Sequence, residues 1–432
     1  MMKTLRRIVA TGVVLAAGLT LTACGSGASP SEGEDGGQAL TVWAWDPAFN
    51  IYALKEAEKI YQQEHPDFSL NIVETPWDDL QPKITTIAQS MQYDQLPDIF
   101  LMQNYSFQKN VVNYPELFET VDSDVVDFSY FPESVVAESS YEGEHYGVPF
   151  DSGTGISALR TDILAEAGYT IEDFTDITWD QYIEQGKVVL EKTGKPLMST
   201  MSGNSDLAMM MLVSAGESMF DENGNPKIAD NPALTEVARV YTELIDSGVL
   251  MLVNSWDEYI GSFINGSVAG TINGVWISAS IQEGKDQAGN WAITNVPSLD
   301  NVPGATNYTS NGGSSWAISS NANKELAQDF LATTFAGSVE LYDTILSSAG
   351  AIANWMPAGE SEAYAEPQEF FGGQAIYADV VEFAPNVPTS LKGIYHTEAR
   401  DAVNTALVKI ASGADAKTAF QEAQENVEFA MG

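Results

Sequence analysis

The chain has 432 residues, with 60 acidic against 19 basic side chains and a formal charge of −41 at neutral pH. A field of that sign repels phosphate backbones and anionic headgroups. Nucleic acid is therefore excluded as a partner, and anionic small molecules are disfavoured unless a local basic pocket overrules the net charge; the acidity can also serve solubility alone.

The chain opens with Lys3, Arg6 and Arg7, continues with an apolar run from Ile8 to Leu21, and reaches its only cysteine at Leu21-Thr22-Ala23-Cys24. This segment is too short and wrongly flanked for a membrane span and predicts an export signal over 1–23. Residues 24–38 carry Gly, Ser, Pro and acids without apolar periodicity. They predict a flexible tether with a reach of about 20 Å, order beginning near Ala39. A lone cysteine permits no intramolecular disulfide, so stability must come from an ordinary core, for which a 44% hydrophobic chain suffices. The length suggests two domains.

Leu40 to Trp45 reads as a buried strand ended by Asp46-Pro47. Asn50 then caps a predicted helix running to about His65, with Ile51, Leu54, Ala57 and Tyr61 on one face. Leu70–Val73 is a second strand. Leu80, Ile84, Ile87 and Met91 mark a second helix, and Ile99–Met102 a third strand. This alternation indicates an α/β sandwich with a parallel sheet. Tyr146–Phe150 is a short strand before a flexible Ser152-Gly153-Thr154-Gly155. Thr178 caps a helix that Gly194 ends. Asp257–Asn265 is a short helix, and Val268–Ile272, Trp291–Val296 and Ser315–Ile318 are strands. Lys324–Thr334 is helical, and two C-terminal helices are divided by Gly413. No internal repeat is present, nor a second apolar run long enough to cross a membrane.

Two resemblances follow from these residues. Leu21-Thr22-Ala23-Cys24 resembles the bacterial lipoprotein cleavage box, which implies acylation of Cys24 and an extracytoplasmic protein held to the membrane by lipid only. The remaining landmarks are Leu40-Thr41-Val42-Trp43, Leu96-Pro97-Asp98-Ile99, Gly143 to Pro149, Arg160 to Leu164 with Ala167-Gly168, and Ile177 to Asp180. Phe263 to Ala269, Asn273 to Trp276, Gly312-Gly313 and Ala322 to Ala327 follow in order. Together they resemble the solute-binding proteins of bacterial ABC importers, in the carbohydrate-binding branch that includes maltose-binding protein. The resemblance implies a periplasmic-binding-protein-like α/β fold: two lobes joined by hinge strands, the ligand in the cleft. It places the crossings near Phe150–Gly155, Pro303–Ser310 and Gly350–Met356. It divides the chain into an N-terminal lobe (39–150 plus 306–352) and a C-terminal lobe (151–305 plus 353–432). It implies a monomer that delivers a neutral oligosaccharide to permease subunits, without cofactor or metal.

A sugar offers C–H faces to aromatics and hydroxyl edges to carboxylates and amides. In open α/β sheets ligands lie beyond the carboxyl ends of strands. Trp45 and Asp46 follow the first strand, Asn104 and Tyr105 the third, and Asn273 the strand 268–272. Asp151 lies at the first crossing, Asn311 and Gly313 at the second, and Trp355 just past the third. The Gly312-Gly313 pair either admits close backbone approach to a ligand or makes a tight turn. Trp276 matches the family's stacking tryptophan, and Trp256 a further cleft aromatic. His396 is a weaker candidate, open to a structural role; Trp43 alternates to the core face. The loop Trp45 to Asn50 replaces the lysine-bearing loop of maltose-binding protein. It looks more like binders of lactose or of plant-derived oligosaccharides such as xylo- and arabinoxylo-oligosaccharides. No catalytic signature is present: His65, His145 and His396 are scattered, and Pro232 occupies the glutamate position that a calcium loop starting at Asp221 would need. A secreted glycosidase using paired carboxylates, and a surface adhesin lipoprotein, remain the alternatives.

Overall fold

The computed structural model describes residues 38–390 and 392–432. Cys24, the export signal and all but the last residue of the expected tether lie outside them.

The first sheet has five strands in the order Ser69–Glu74, Ala39–Ala44, Ile99–Gln103, Ser314–Ile318, Val148–Asp151. Ala39–Ala44 pairs parallel with both its neighbours. Ser314–Ile318 runs antiparallel to both of its own. The expected parallel sheet is thus a mixed one. The first three strands are linked by helical crossovers, which impose parallel pairing. Ser314 instead enters straight from the turn at Gly312-Gly313, so its strand runs the other way.

Local chemistry fixes the flanking helices. Helix Asn50–Tyr61 buries Ile51, Leu54, Ala57 and Tyr61, the face that the spacing predicted. Its cap differs from expectation. Asn50 is the first helical residue, and its Oδ1 accepts from the N–H groups of Trp45 and Asp46. Asp46 Oδ1 instead accepts from Ala48 and Phe49. Both side chains satisfy turn donors that would otherwise be orphaned. Helix Trp179–Thr193 carries the predicted Thr178 cap, closed as a reciprocal box by Gln181, and ends on Gly194 in the left-handed region. The helices His396–Ala411 and Ala416–Met431 pack as a pair. Helix Asn104–Asn113 was not predicted; it starts directly where the third strand stops.

The second lobe is built on a three-stranded antiparallel sheet with Gly155–Arg160 in the middle, flanked by Gly270–Gly274 and Trp291–Thr294. Residues 152–155 are therefore not a loose linker, because Gly155 already begins a strand buried up to its last residue, Arg160. A parallel pair, Met198–Met201 with Leu250–Val253, completes this side. Its core runs through Trp179, Tyr182, Met210, Leu234 and Phe420. The first-lobe core gathers Val42, Leu101, Phe150, Trp316 and Tyr342, with the Phe150 and Trp316 rings 5.3 Å apart. Ala351, Trp355 and Ala358 also pack on this first core.

The three segments expected to cross between lobes lie side by side. Ser152 N–H donates to Ile352 O (3.0 Å), Gly155 N–H to Thr309 O (2.7 Å) and Asn311 N–H to Gly153 O (2.7 Å). Thr309 Oγ1 donates to Met210 O, at 2.6 Å, and ties this bundle to the second lobe. Among the described residues no helix is long and apolar enough to cross a membrane, and no three His, Cys, Asp or Glu side chains are grouped to hold a metal ion.

Candidate functional site

Strand Gly270–Gly274 ends at the cleft, and its last side chain, Asn273, is the centre of a polar relay. Asn273 Nδ2 donates to Tyr259 OH (3.0 Å). Its Oδ1 accepts from Gly274 N–H (2.9 Å) and from Asn311 Nδ2 (2.8 Å). Asn311 O in turn accepts from Trp276 Nε1 at 2.9 Å. Trp276 is half-buried and leans on cores of both lobes. Its edge is fitted between two glycines. A Cβ on Gly274 would stand 2.2 Å from Trp276 Nε1, and one on Gly312 3.1 Å from it, at φ +80°. The close approach made possible by Gly312 is thus to an indole.

Trp256 opens helix Trp256–Ile264, capped by Ser255 Oγ accepting from Glu258 N–H. It is 36% exposed. Its ring lies 6.0 Å from that of Trp276 at 33°, and 5.3 Å from Tyr259. Trp256, Tyr259 and Asn273 line a cavity open to solvent, together with Asn204, Asp206 and Met210. Aromatic faces beside amide and carboxylate edges suit a ligand with flat apolar faces and hydroxyl rims.

A second cavity is lined by Tyr105, Asn311, His396, Lys392, Arg400 and the apolar side chains Met209 and Leu212. Tyr105 comes from helix Asn104–Asn113 of the first lobe, and the last three cationic or imidazole groups from the C-terminal part of the chain. The Tyr105 and His396 rings are 5.4 Å apart, and Arg400 lies 5.0 Å from the Tyr105 ring centre. Arg400 is ion-paired with Asp206 and donates through Nε to Ser205 Oγ at 3.2 Å. Burial pushes the Tyr105 phenol up to about 12. Burial, with Arg400 and Lys392 alongside, holds His396 well below the usual imidazole range, hence neutral. Two further ion pairs bridge the cleft rim: Lys109 with Glu398, and Lys392 with Glu138 at 2.5 Å.

Beneath these cavities Asn104, Asp151 and Gly313 knit the crossing strands together. Asn104 Oδ1 accepts from Ser315 Oγ (2.8 Å) and its N–H donates to Gly313 O (3.1 Å). Asp151 Oδ1 accepts from the N–H (3.0 Å) and the hydroxyl of Ser314. Burial raises Asp151 to about 7, although the Ser314 bonds pull the other way. Seven predicted residues line neither cavity: Trp276, Asn104, Asp151 and Gly313, placed above, and Trp45, Asp46 and Trp355. Trp45 packs against first-lobe cores, and Trp355 is 9% exposed, its Nε1 buried without a partner among the described residues. Asp46 is spent on its own turn; burial raises its carboxyl, and Glu283 and Glu74 add to that. Trp43 is core, with Lys83 Nζ 3.4 Å from its ring centre. Sequence reasoning missed Tyr259, Asn204, Asp206 and Arg400. A local signal existed for the last: His396 and Arg400 are one helical turn apart and share a face.

A two-lobed α/β scaffold with an aromatic and amide-lined cleft at the lobe junction defines a binding protein. The chain belongs to the bacterial extracellular solute-binding protein family, whose profile matches residues 56–370. It is 37% identical over 374 residues to a lactose-binding protein of Rhizobium radiobacter, covering 86% of this chain and 88% of that one. It is 27% identical over 307 residues to an arabinooligosaccharide-binding protein of Halalkalibacterium halodurans, covering 69% and 67%. Among solved structures it resembles the ABC-transporter-associated binding protein of B. animalis subsp. lactis in complex with beta-1,6-galactobiose. The TM-score is 0.76 at 18% identity, over 91% of this chain and 96% of that one.

Proposed function

We propose that this protein is a lipid-anchored receptor that captures a neutral oligosaccharide between its lobes and delivers it to an ABC permease. The observation that carries the reading is the Trp256–Trp276 pair flanked by the Asn273–Asn311 relay. Laying a pyranose face on an indole removes on the order of 100 Å² of apolar surface, about 2.5 kcal/mol. The amides then discriminate hydroxyls, since leaving one unpaired costs roughly 1–3 kcal/mol. The site residues of this reading are Trp256, Asn273, Trp276, Asn311 and His396 from the second lobe and the crossing, with Tyr105 closing from the opposite side. Asn104, Asp151 and Gly313 support them; Trp45, Asp46 and Trp355 are peripheral.

The names of the two relatives favour lactose-type or arabinose-containing plant oligosaccharides as the ligand class. The family, described as extracellular, supports a position outside the cytoplasm. The Leu21-to-Cys24 box supports the anchor. Those relatives are named as binding proteins, which favours transport over hydrolysis. Calorimetry against lactose, maltose, raffinose and xylo- and arabino-oligosaccharides of two to five units tests the reading. Saturable binding of at least one, with the glycan recovered intact, is expected; no binding across the panel, or cleaved product, would end it. Cys24→Ala is expected to shift the protein from the membrane to the soluble fraction.

A further inference from the structure

Helix Asp206–Ser214 stands between the two cavities. Asp206 and Met210 face the first and Met209 and Leu212 the second. Two polar pairs cross this divide, each with one member in either cavity. Asn273 meets Asn311 at 2.8 Å, and Asp206 is ion-paired with Arg400. The guanidinium is held on three sides: by Asp206, by Ser205, and by the Tyr105 face at 5.0 Å. A guanidinium has five N–H donors, and Asp206 and Ser205 engage two of them. Tyr105 is a third side-chain hydrogen-bond partner of Arg400. Arg400 lines the second cavity, as does a neutral imidazole whose buried Nδ1 has no partner among the described residues. With five donors and three protein partners, Arg400 has N–H groups to spare for a ligand in the second cavity, next to the apolar Met209 and Leu212.

We propose that Arg400 sets the glycan length that the cleft prefers. The inference rests on the glycan-binding reading above. The two cavities are consecutive subsites of one track, and Arg400 marks their junction. A disaccharide seated on Trp256 is held by Asn273, Asp206 and Tyr259 without passing Arg400. A third unit continues past the Asp206–Arg400 pair into the second cavity, where its hydroxyls accept from the remaining N–H groups and reach His396. Arg400 is a specificity residue for longer chains and nearly silent for shorter ones.

Calorimetry on the full chain, with lactose and galactosyl-lactose and with xylo- and arabino-oligosaccharides of two to five units, tests this. In whichever series binds, wild-type affinity should rise about fivefold or more from two to three units. Arg400→Gln should weaken trisaccharide binding roughly tenfold, the scale of a hydrogen bond to a charged group, and disaccharide binding less than about threefold. Arg400→Lys keeps the stem and the charge but not the fork. It serves if Arg400→Gln does not fold, with a loss of about threefold or more confined to the longer chains. Equal losses at all lengths, no loss at any, or a wild type that gains nothing from a third unit would overturn the inference and leave the glycan reading standing. A wild type that binds none of these sugars removes both.

Discussion

On the first-lobe side of the cleft Asn104 and Asp151 are each 3% exposed, and Ser314, Ser315 and Gly313 take up their hydrogen bonds. On the second-lobe side Trp256 stands open at the surface, Trp276 is half-buried, and Asn273 and Asn311 form a relay at the cavity wall. The first wall spends its polar groups on holding three crossing segments in register. The second presents an aromatic and amide surface on which a ligand can lie. On the proposed reading, recognition and scaffolding are divided between the two walls, and variants on either wall should separate affinity from stability.

The largest effect is expected from Gly274→Ala. Its Cβ would sit 2.2 Å from Trp276 Nε1 and 2.6 Å from the Asn311 carbonyl oxygen. Relieving that clash moves both the indole and the relay, so glycan affinity should fall by about a hundredfold or more, read by calorimetry; overpacking of this kind costs about 1–3 kcal/mol before any contact is lost. Trp276→Ala follows, with a loss of about tenfold or more and a far-ultraviolet spectrum like that of the wild type. Retained affinity in Trp276→Ala would shift recognition to the opposite wall and break the comparison.

Asp151→Asn should act on stability. Burial lifts the Asp151 carboxyl from 3.8 to about 7. The folded state therefore keeps this proton over a range in which the unfolded chain has released it. Stability from this group is full below about pH 4 and is lost as pH rises through 7. The wild-type Tm should fall between pH 5 and 8 by about 2 °C or more through this group, and Asp151→Asn should flatten that slope. An unchanged slope would mean that Asp151 is not the buried acid of the first wall.

What could be read from sequence was local. Thr178 and Gly194 delimit a helix of 15 residues because caps and stops act over one turn. Asn50, expected as the cap, is instead the first helical residue, with its side chain turned back to the preceding turn beside Asp46. The direction of Ser314–Ile318 and the central place of Gly155–Arg160 depend on partners that arrive from elsewhere in the chain. Of the site, Trp256, Asn273 and Trp276 follow a strand end or open a helix near one. Arg400 and Asp206 meet across 194 residues, and no spacing rule anticipates that pair.

Lys109 with Glu398 joins two helices, and Lys392 with Glu138 joins a loop to a helix, across the mouth of the cleft, with side chains between 24% and 33% exposed. On the receptor reading proposed above, opening the cleft breaks both pairs. Mobile ions weaken such rim contacts over about 10 Å at 0.1 M salt. The balance between the gaping and the shut receptor is therefore tied to the salinity of the medium around it, and the same cargo is gripped more firmly in fresh water than in brine.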